Sequence, residues 1–347
     1  MSQNEFFETV HPGEDAQRIM ASLPLSLKAE MSSRERLFLV EMLLKTRPRK
    51  CLEVGVSAGG SSVIMLSALH ALYGEDMPVL HSIDLCKRYY RDNSLETGFQ
   101  VNDFPHLKPF HKLFTGGLAC EFMEEIGDGI DFVLLDTVHF LPGELLDYLM
   151  VLPYLNDNAT IVLHDTNIHT IAGRTPKREW EFSNNILLSA IHGKKFVMEN
   201  FCLQYSGNTF PQMPNIGAVK INNNTKKCIF DVINLLSLGW RYTPTSDQLD
   251  RILKYVENKY DGDVTSYFRM TLEFQKSYFP YFRNKIEDKK SNEFQCPPSA
   301  IRRYLSMKNL QYLIFSKITF GKLKDKCIAK SNFYTMESEK FKNMKKG

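Results

Sequence analysis

Residues 50–62 read KCLEVGVSAGGSS, a short apolar run that passes through glycines into a helix-forming stretch. The pattern predicts a buried strand at residues 51–54, a glycine turn, and a helix running to about Tyr73. A strand end, a glycine turn and a helix N-terminus together form a crevice in which a ligand can meet main-chain groups. Gly55 and Gly59 allow that approach because they carry no side chain. Glu53, just before the turn, is placed to accept hydrogen bonds from a polar or cationic ligand group, or else to cap a helix or hold a salt bridge.

Outward from this stretch, strands and helices alternate. Residues 34–46 carry apolar positions at helical spacing, and Pro48 follows. Strands are expected at residues 77–84, 112–115, 131–135 and 159–163, with further strands near 195–201 and 216–221. Helices are expected at 119–126, 142–152 and 183–191, with a turn at Asn156-Asp157-Asn158. The alternation predicts a doubly wound α/β fold: a mostly parallel seven-stranded sheet, Rossmann-like, with a helical C-terminal extension. Three domains are expected: a lead-in at 1–33 with one helical piece near 15–23, a catalytic domain at 34–222, and a helical basic region at 223–347. The stretch 85–111 is long for a connection and sits where a lid would lie.

In such sheets ligands bind beyond the carboxyl ends of the strands. Four of the expected strands finish there in polar or glycine positions: Gly55, Asp84, Asp136 and Asp165. The turn 55–60, GVSAGG, has Ser57 where a dinucleotide-binding fingerprint has its second glycine. Glu53 would repel a pyrophosphate and would suit a ligand with positive charge, such as S-adenosylmethionine. Asp84 is placed to take ribose hydroxyls, or to serve as an N-cap.

The runs EVGVSAGGSS, SIDL, DFVLLD and IVLHD together resemble the class I S-adenosylmethionine-dependent methyltransferases. The likeness spans residues 34–221 and is nearest to the branch of cephalosporin hydroxylase-type proteins and macrolide-sugar O-methyltransferases. It implies that Glu53, Gly55, Ser57, Gly59, Asp84 and Asp136 contact the cofactor. It further implies that Asp136 and Asp165 hold a divalent ion, and that His139, in Asp136-Thr137-Val138-His139, is the base. That branch has Glu-Asp where this chain has His164-Asp165. His164 is then a second base, a ligand to a softer ion such as manganese rather than magnesium, or a sign that no metal is used. Methyl transfer to a hydroxyl needs the hydroxyl deprotonated; a magnesium ion or a neutral imidazole assists that step. His139 has a structural alternative as a cap on the helix at Pro142.

The resemblance implies an O-methyltransferase acting on a sugar hydroxyl of a surface glycan or related small molecule. A nicotinamide-dependent oxidoreductase and a non-catalytic cofactor-binding subunit of a glycan-assembly complex are the alternatives. Arg174, Lys177 and Arg178 fall in a loop that borders the acceptor side of such a fold. After Ile286 there are 14 Lys/Arg against six Asp/Glu, within a chain of net charge +3. Residues 299–317 read as an amphipathic helix, and 318–326, ITFGKLKDK, loosely resembles the C-terminal ends of surface-polysaccharide glycosyltransferases. This end is expected to touch a membrane surface peripherally, or to pack on the catalytic domain or on a second subunit of a homo-oligomer. No stripe of basic and aromatic residues suggests nucleic-acid binding. Seven scattered cysteines without a CxxC pair suit a reducing cytoplasm.

Overall fold

The computed structural model describes residues 6–170, 181–199, 201–205 and 208–278. All of these belong to one compact unit within Met1–Ile286; residues 287–347 lie outside the described residues, as do Arg174, Lys177 and Arg178. The strands are β1 (Phe7–Val10), β2 (Cys51–Val54), β3 (Leu80–Asp84), β4 (His111–Thr115), β5 (Ile130–Leu135), β6 (Leu155–His164), β7 (Lys194–Met198), β8 (Phe201–Tyr205), β9 (Asn208–Gln212) and β10 (Ile216–Lys220). The helices are α1 (Glu14–Ser22), α2 (Ser33–Thr46), α3 (Gly60–Tyr73), α4 (Ala119–Ile126), α5 (Gly143–Val151), α6 (Ser183–Ala190), α7 (Ile229–Leu235), α8 (Ser246–Lys259) and α9 (Gly262–Tyr278).

Eight strands form one sheet in the order β4-β3-β2-β5-β6-β10-β7-β1, and β8-β9 form a separate hairpin. Only β10 runs antiparallel to its neighbours in that sheet. Chain order reverses between β2 and β5, which pair in parallel as the central strands. That reversal is the topological switch point where α/β sheets open a crevice.

Strand periodicity distributes the side chains. Cys51, Phe132, Leu134 and Val162 face α1–α3, whereas Leu52, Val54, Val133, Leu135 and Leu163 face α4–α9. Both faces are covered, so the central strands are mostly apolar, as parallel sheets require, with Glu53 the buried exception in β2. α2 starts at a capping box of Ser32 and Glu35 and stops at Arg47, which adopts the left-handed conformation before Pro48.

Several details depart from the sequence reading. Phe7–Val10, expected within a polar lead-in, is a strand paired in parallel with β7. The turn expected at Asn156–Asn158 is extended backbone inside β6, accommodated by an irregularity opposite Ile130 and Phe132. The sheet therefore gains an eighth strand at its edge. The boundary expected at 222/223 does not separate two cores. Ile229, Val232, Trp240, Ile252, Val256 and Phe268 from α7–α9 and their connections share the core of β5, β6 and α5. The stretch 85–111 is stitched down: Gly98 and Gln100 donate to Ser57 and Ala58, and the Gln100 side chain bonds both polar groups of the Lys28 backbone. Among the described residues, no helix is long and apolar enough to cross a membrane.

Candidate active site

A cavity of about 650 Å³ opens at the carboxyl ends of β2, β3, β5 and β6. Gly55, Ser57, Asp84, Asp136, His139 and Asp165 line it, along with Asp147 and Tyr242. Among the described residues, three of the four non-glycine residues with positive φ lie on its wall: Ser57 (φ 54°), His139 (φ 58°) and Asp165 (φ 54°). Such backbone is costly for a side-chain-bearing residue and clusters at functional sites.

Glycine is required at position 55 for two reasons. Its φ is +95°, and a Cβ there would lie 1.9 Å from the carbonyl oxygen of Asp136. The turn after β2 thus crosses against the end of β5. A Cβ on Gly59 would meet the backbone of Gly98 at 2.9 Å, and one on Gly60 would meet the carbonyl oxygen of Lys28 at 2.4 Å. Residues 28–29 therefore cover the N-terminus of α3. Asp84 occupies the amides of the turn: its Oδ2 accepts from Val56 N at 2.9 Å and Ser57 N at 3.0 Å, and its Oδ1 accepts from Cys86 N at 2.8 Å. A pyrophosphate needs those amides and that helix end, and here both are taken. The geometry disfavours the dinucleotide alternative.

Glu53 is not on the cavity wall. Strand alternation sends it with Cys51 toward α3, where it is fully buried. Its Oε1 accepts from Ser61 Oγ at 2.5 Å, and its Oε2 from Ser62 Oγ at 2.6 Å and Ser82 Oγ at 2.7 Å. Burial pushes the carboxyl up to about 7 against these hydroxyl bonds. Glu53 is an anchor between β2, β3 and α3, one layer beneath the turn. Ser82 also lies 2.9 Å from His111 Nε2, and burial pushes that imidazole down to about 4.

The acidic strand ends after β5 and β6 meet two imidazoles. His139 places Nε2 at 3.0 Å from Asp165 Oδ2 and 4.0 Å from Asp136 Oδ1. Its Nδ1 lies 3.1 Å from Glu144 Oε1, which also accepts the His139 main-chain N–H at 2.6 Å. Burial disfavours a charged His139, but Asp165 and Glu144 outweigh it and raise its pKa well above the ordinary value. His139 is therefore not a free neutral base in this arrangement, in contrast to the sequence reading.

His164 is buried, off the cavity wall. Nδ1 lies 3.1 Å from Asp136 Oδ1 and Nε2 3.5 Å from Glu35 Oε2. Neither nitrogen makes a directed hydrogen bond, so these contacts are Coulombic. Burial opposes its charge, but Asp136 and Asp165 raise its pKa well above the ordinary range. Asp165 also accepts from Asn215 Nδ2 at 2.5 Å. Burial would raise its carboxyl, but the two imidazoles and Asn215 hold it well below the usual carboxylate range. Asn167 donates to the Pro214 carbonyl and accepts from Asn185, so its amide is committed away from the cluster.

Sequence reasoning missed Glu35, Glu144, Asp147 and Asn215. The Ser32–Glu35 capping box is legible, but its contact with His164 is tertiary. Glu144 is five residues after His139 in the first turn of α5, where an acid reads as a helix-dipole residue. Asp147 faces the cavity and accepts from Thr137 Oγ1 at 2.8 Å; burial pushes its carboxyl up to about 7.

Residues 52–166 match the family model described as a methyltransferase domain. This supports a class I methyltransferase domain. Its strand order, β4-β3-β2-β5-β6-β10-β7, is that of a seven-stranded Rossmann-like sheet with one antiparallel strand. The matched segment begins in β2 and ends just past Asp165, so it contains the glycine turn and the strand-end acids Asp84, Asp136 and Asp165 of the cavity. No curated relative matches the chain. Among solved structures, the O-methyltransferase TomG from Streptomyces achromogenes, in complex with SAM, is 14% identical; the alignment covers 62% of this chain and 92% of TomG, with a TM-score of 0.40. A putative O-methyltransferase from Klebsiella pneumoniae is 15% identical, covering 61% and 92%, with a TM-score of 0.38. An O-methyltransferase from Bacillus cereus in complex with SAH is 16% identical, covering 60% and 89%, with a TM-score of 0.38. At this level of likeness they speak to neither substrate nor mechanism.

Proposed function

We propose that the protein is an S-adenosylmethionine-dependent O-methyltransferase, and that its acceptor is a hydroxyl of a neutral sugar in a glycan or a related small molecule. One observation carries the reading. Asp84, Asp136 and Asp165, from three parallel strands, open into the same cavity beside a turn whose amides are closed to phosphate.

S-adenosylmethionine supplies an electrophilic methyl carbon on a sulfonium. Gly55 and Ser57 line the space where it would lie, and Asp84 has carboxylate capacity left for hydroxyl donors. On the acceptor side, Asp136 turns Oδ1 toward the imidazoles, which leaves Oδ2 to receive the acceptor's proton. Asp147, Tyr242 and Gln248 surround the same space with groups that suit a polyol. Tyr242 and Gln248 come from the segment after β10, so the helical region shapes the pocket as well as extending the chain.

The strand-end acids also fit a divalent ion, with Asp136 and Asp165 as its oxygen donors. When bound, such an ion lowers the pKa of an acceptor hydroxyl.

The test is transfer of labelled methyl groups from S-adenosylmethionine into a panel of neutral glycans and small polyols. Incorporation that falls at least 100-fold in Asp136→Asn supports the proposal. Equal transfer by wild type and Asp136→Asn removes Asp136 from the chemistry. No transfer to any hydroxyl acceptor, with a nitrogen or thiol acceptor methylated instead, removes the O-methyl assignment.

A further inference from the structure

Two carboxylates and an imidazole converge in the cavity. The ligand atoms offered by Asp136, His139 and Asp165 all lie within 4.8 Å of one another. From His139 Nε2 the distances are 3.0 Å to Asp165 and 4.0 Å to Asp136, at and somewhat beyond the spacing of neighbouring ligands around an ion. Ligands about 2.1 Å from a six-coordinate ion stand roughly 3 Å apart.

The charge of the cluster points the same way. Glu35, Asp136, Glu144 and Asp165 are four carboxylates facing two imidazoles. Even with both imidazoles protonated, two negative charges remain. Negative charge gathered in a partly buried site favours a cation beside it.

His164, the second of these imidazoles, is 1% exposed and stands with Nδ1 3.1 Å from Asp136 Oδ1 without a directed hydrogen bond.

The environment of His139 settles its role among these groups. Glu144 holds the ring from behind: one oxygen takes both the main-chain N–H and Nδ1. That fixes Nδ1 as the protonated nitrogen and leaves Nε2 to face Asp136 and Asp165. A carboxylate behind a histidine whose other nitrogen faces acids is the arrangement that orients imidazole ligands at metal centres.

We propose that Asp136, His139 and Asp165 together bind a first-row divalent ion, with His139 as a ligand through Nε2 and Glu144 as the positioning residue behind it. This rests on, and refines, the metal-assisted reading of the proposed function. The donor set of one imidazole and two carboxylates favours manganese-type ions over magnesium, which prefers oxygen donors. A histidine that ligates metal through Nε2 is not at the same time the base for the acceptor hydroxyl.

The experiment uses Mn²⁺ and Mg²⁺ as probes, titrated into the full chain and followed by electron paramagnetic resonance and calorimetry, without substrate. Wild type is expected to bind Mn²⁺ at least tenfold more tightly than Mg²⁺. His139→Asn suits the left-handed backbone at this position and replaces the nitrogen donor by oxygen. It is expected to cost at least tenfold in Mn²⁺ affinity and to leave Mg²⁺ within about twofold. Glu144→Gln is expected to weaken Mn²⁺ by 10- to 100-fold, and to have little further effect in the His139→Asn background. Unchanged Mn²⁺ affinity in His139→Asn overturns the ligand role. Equal losses for both ions in Glu144→Gln reduce that residue to a distant charge and overturn its positioning role. Binding of S-adenosylhomocysteine is measured on the same samples. Its failure with Mn²⁺ bound counts against the methyltransferase reading alone, and absence of Mn²⁺ binding with S-adenosylhomocysteine bound counts against the metal centre alone.

Discussion

Replacing Glu53 by Gln should change how stability depends on pH. Glu53 is fully buried among three serine hydroxyls, and burial raises its carboxyl from an ordinary 4.5 to about 7. The folded chain therefore holds a proton that the unfolded chain has released over the window from 4.5 to 7. Stability falls as pH rises through that window, because the native state binds more protons than the unfolded one. At 1.36 kcal/mol for each pKa unit, Glu53 should cost the wild type about 2.5 kcal/mol between pH 5 and pH 8. Gln has no proton to lose, and serine hydroxyls can reorient to meet its amide. Urea denaturation of both proteins at pH 5, 6, 7 and 8 is the assay. The stability difference, Glu53→Gln minus wild type, should rise by about 2.5 kcal/mol across the series. Parallel curves would refute the reasoning, because they would mean that Glu53 is ionised at the same pH folded and unfolded.

Other perturbations follow from the same geometry. His111 is buried and titrates near 4, so the unfolded chain takes up its proton first as pH falls. It should cost about 2–3 kcal/mol between pH 6.5 and pH 4, and His111→Gln should flatten the acid limb of the stability curve. Gly55→Ala forces a Cβ to 1.9 Å from the Asp136 carbonyl and should cost more than about 3 kcal/mol. Gly74→Ala, also at positive φ but in open space, should cost less, about 1–3 kcal/mol from backbone strain alone, in the same denaturation assay. Asp84→Asn removes the charge that gathers the amides of Val56 and Ser57. It should weaken S-adenosylhomocysteine binding at least tenfold in calorimetry with a stability change of about 1–2 kcal/mol.

Much of this fold is written in local patterns. The apolar runs of β2, β5 and β6 and the glycines after β2 mark the sheet and its switch point, because parallel strands buried on both faces leave few polar choices. The tips that follow them, Asp84, Asp136 and Asp165, are legible for the same reason. What local patterns do not carry is direction within a layer. Glu53 precedes the turn by two residues, yet strand alternation points it under α3 and away from the cavity. β1 has only four residues and draws its order from pairing with β7, a contact nearly 190 residues away in the chain. Asn156–Asn158 have the composition of a turn, and tertiary pairing overrides it. Glu35 and Glu144 look like ordinary acids in first helical turns; only the packing of α2 and α5 against the strand ends brings them to His164 and His139.

Calorimetric titration of the full chain with S-adenosylhomocysteine and, separately, with NAD⁺ tests most directly whether the β2–β5 crevice receives a sulfonium donor. One-to-one binding of S-adenosylhomocysteine, weakened by Asp84→Asn, with no heat from NAD⁺, is the predicted result. Saturable NAD⁺ binding in the absence of any response to S-adenosylhomocysteine would contradict it.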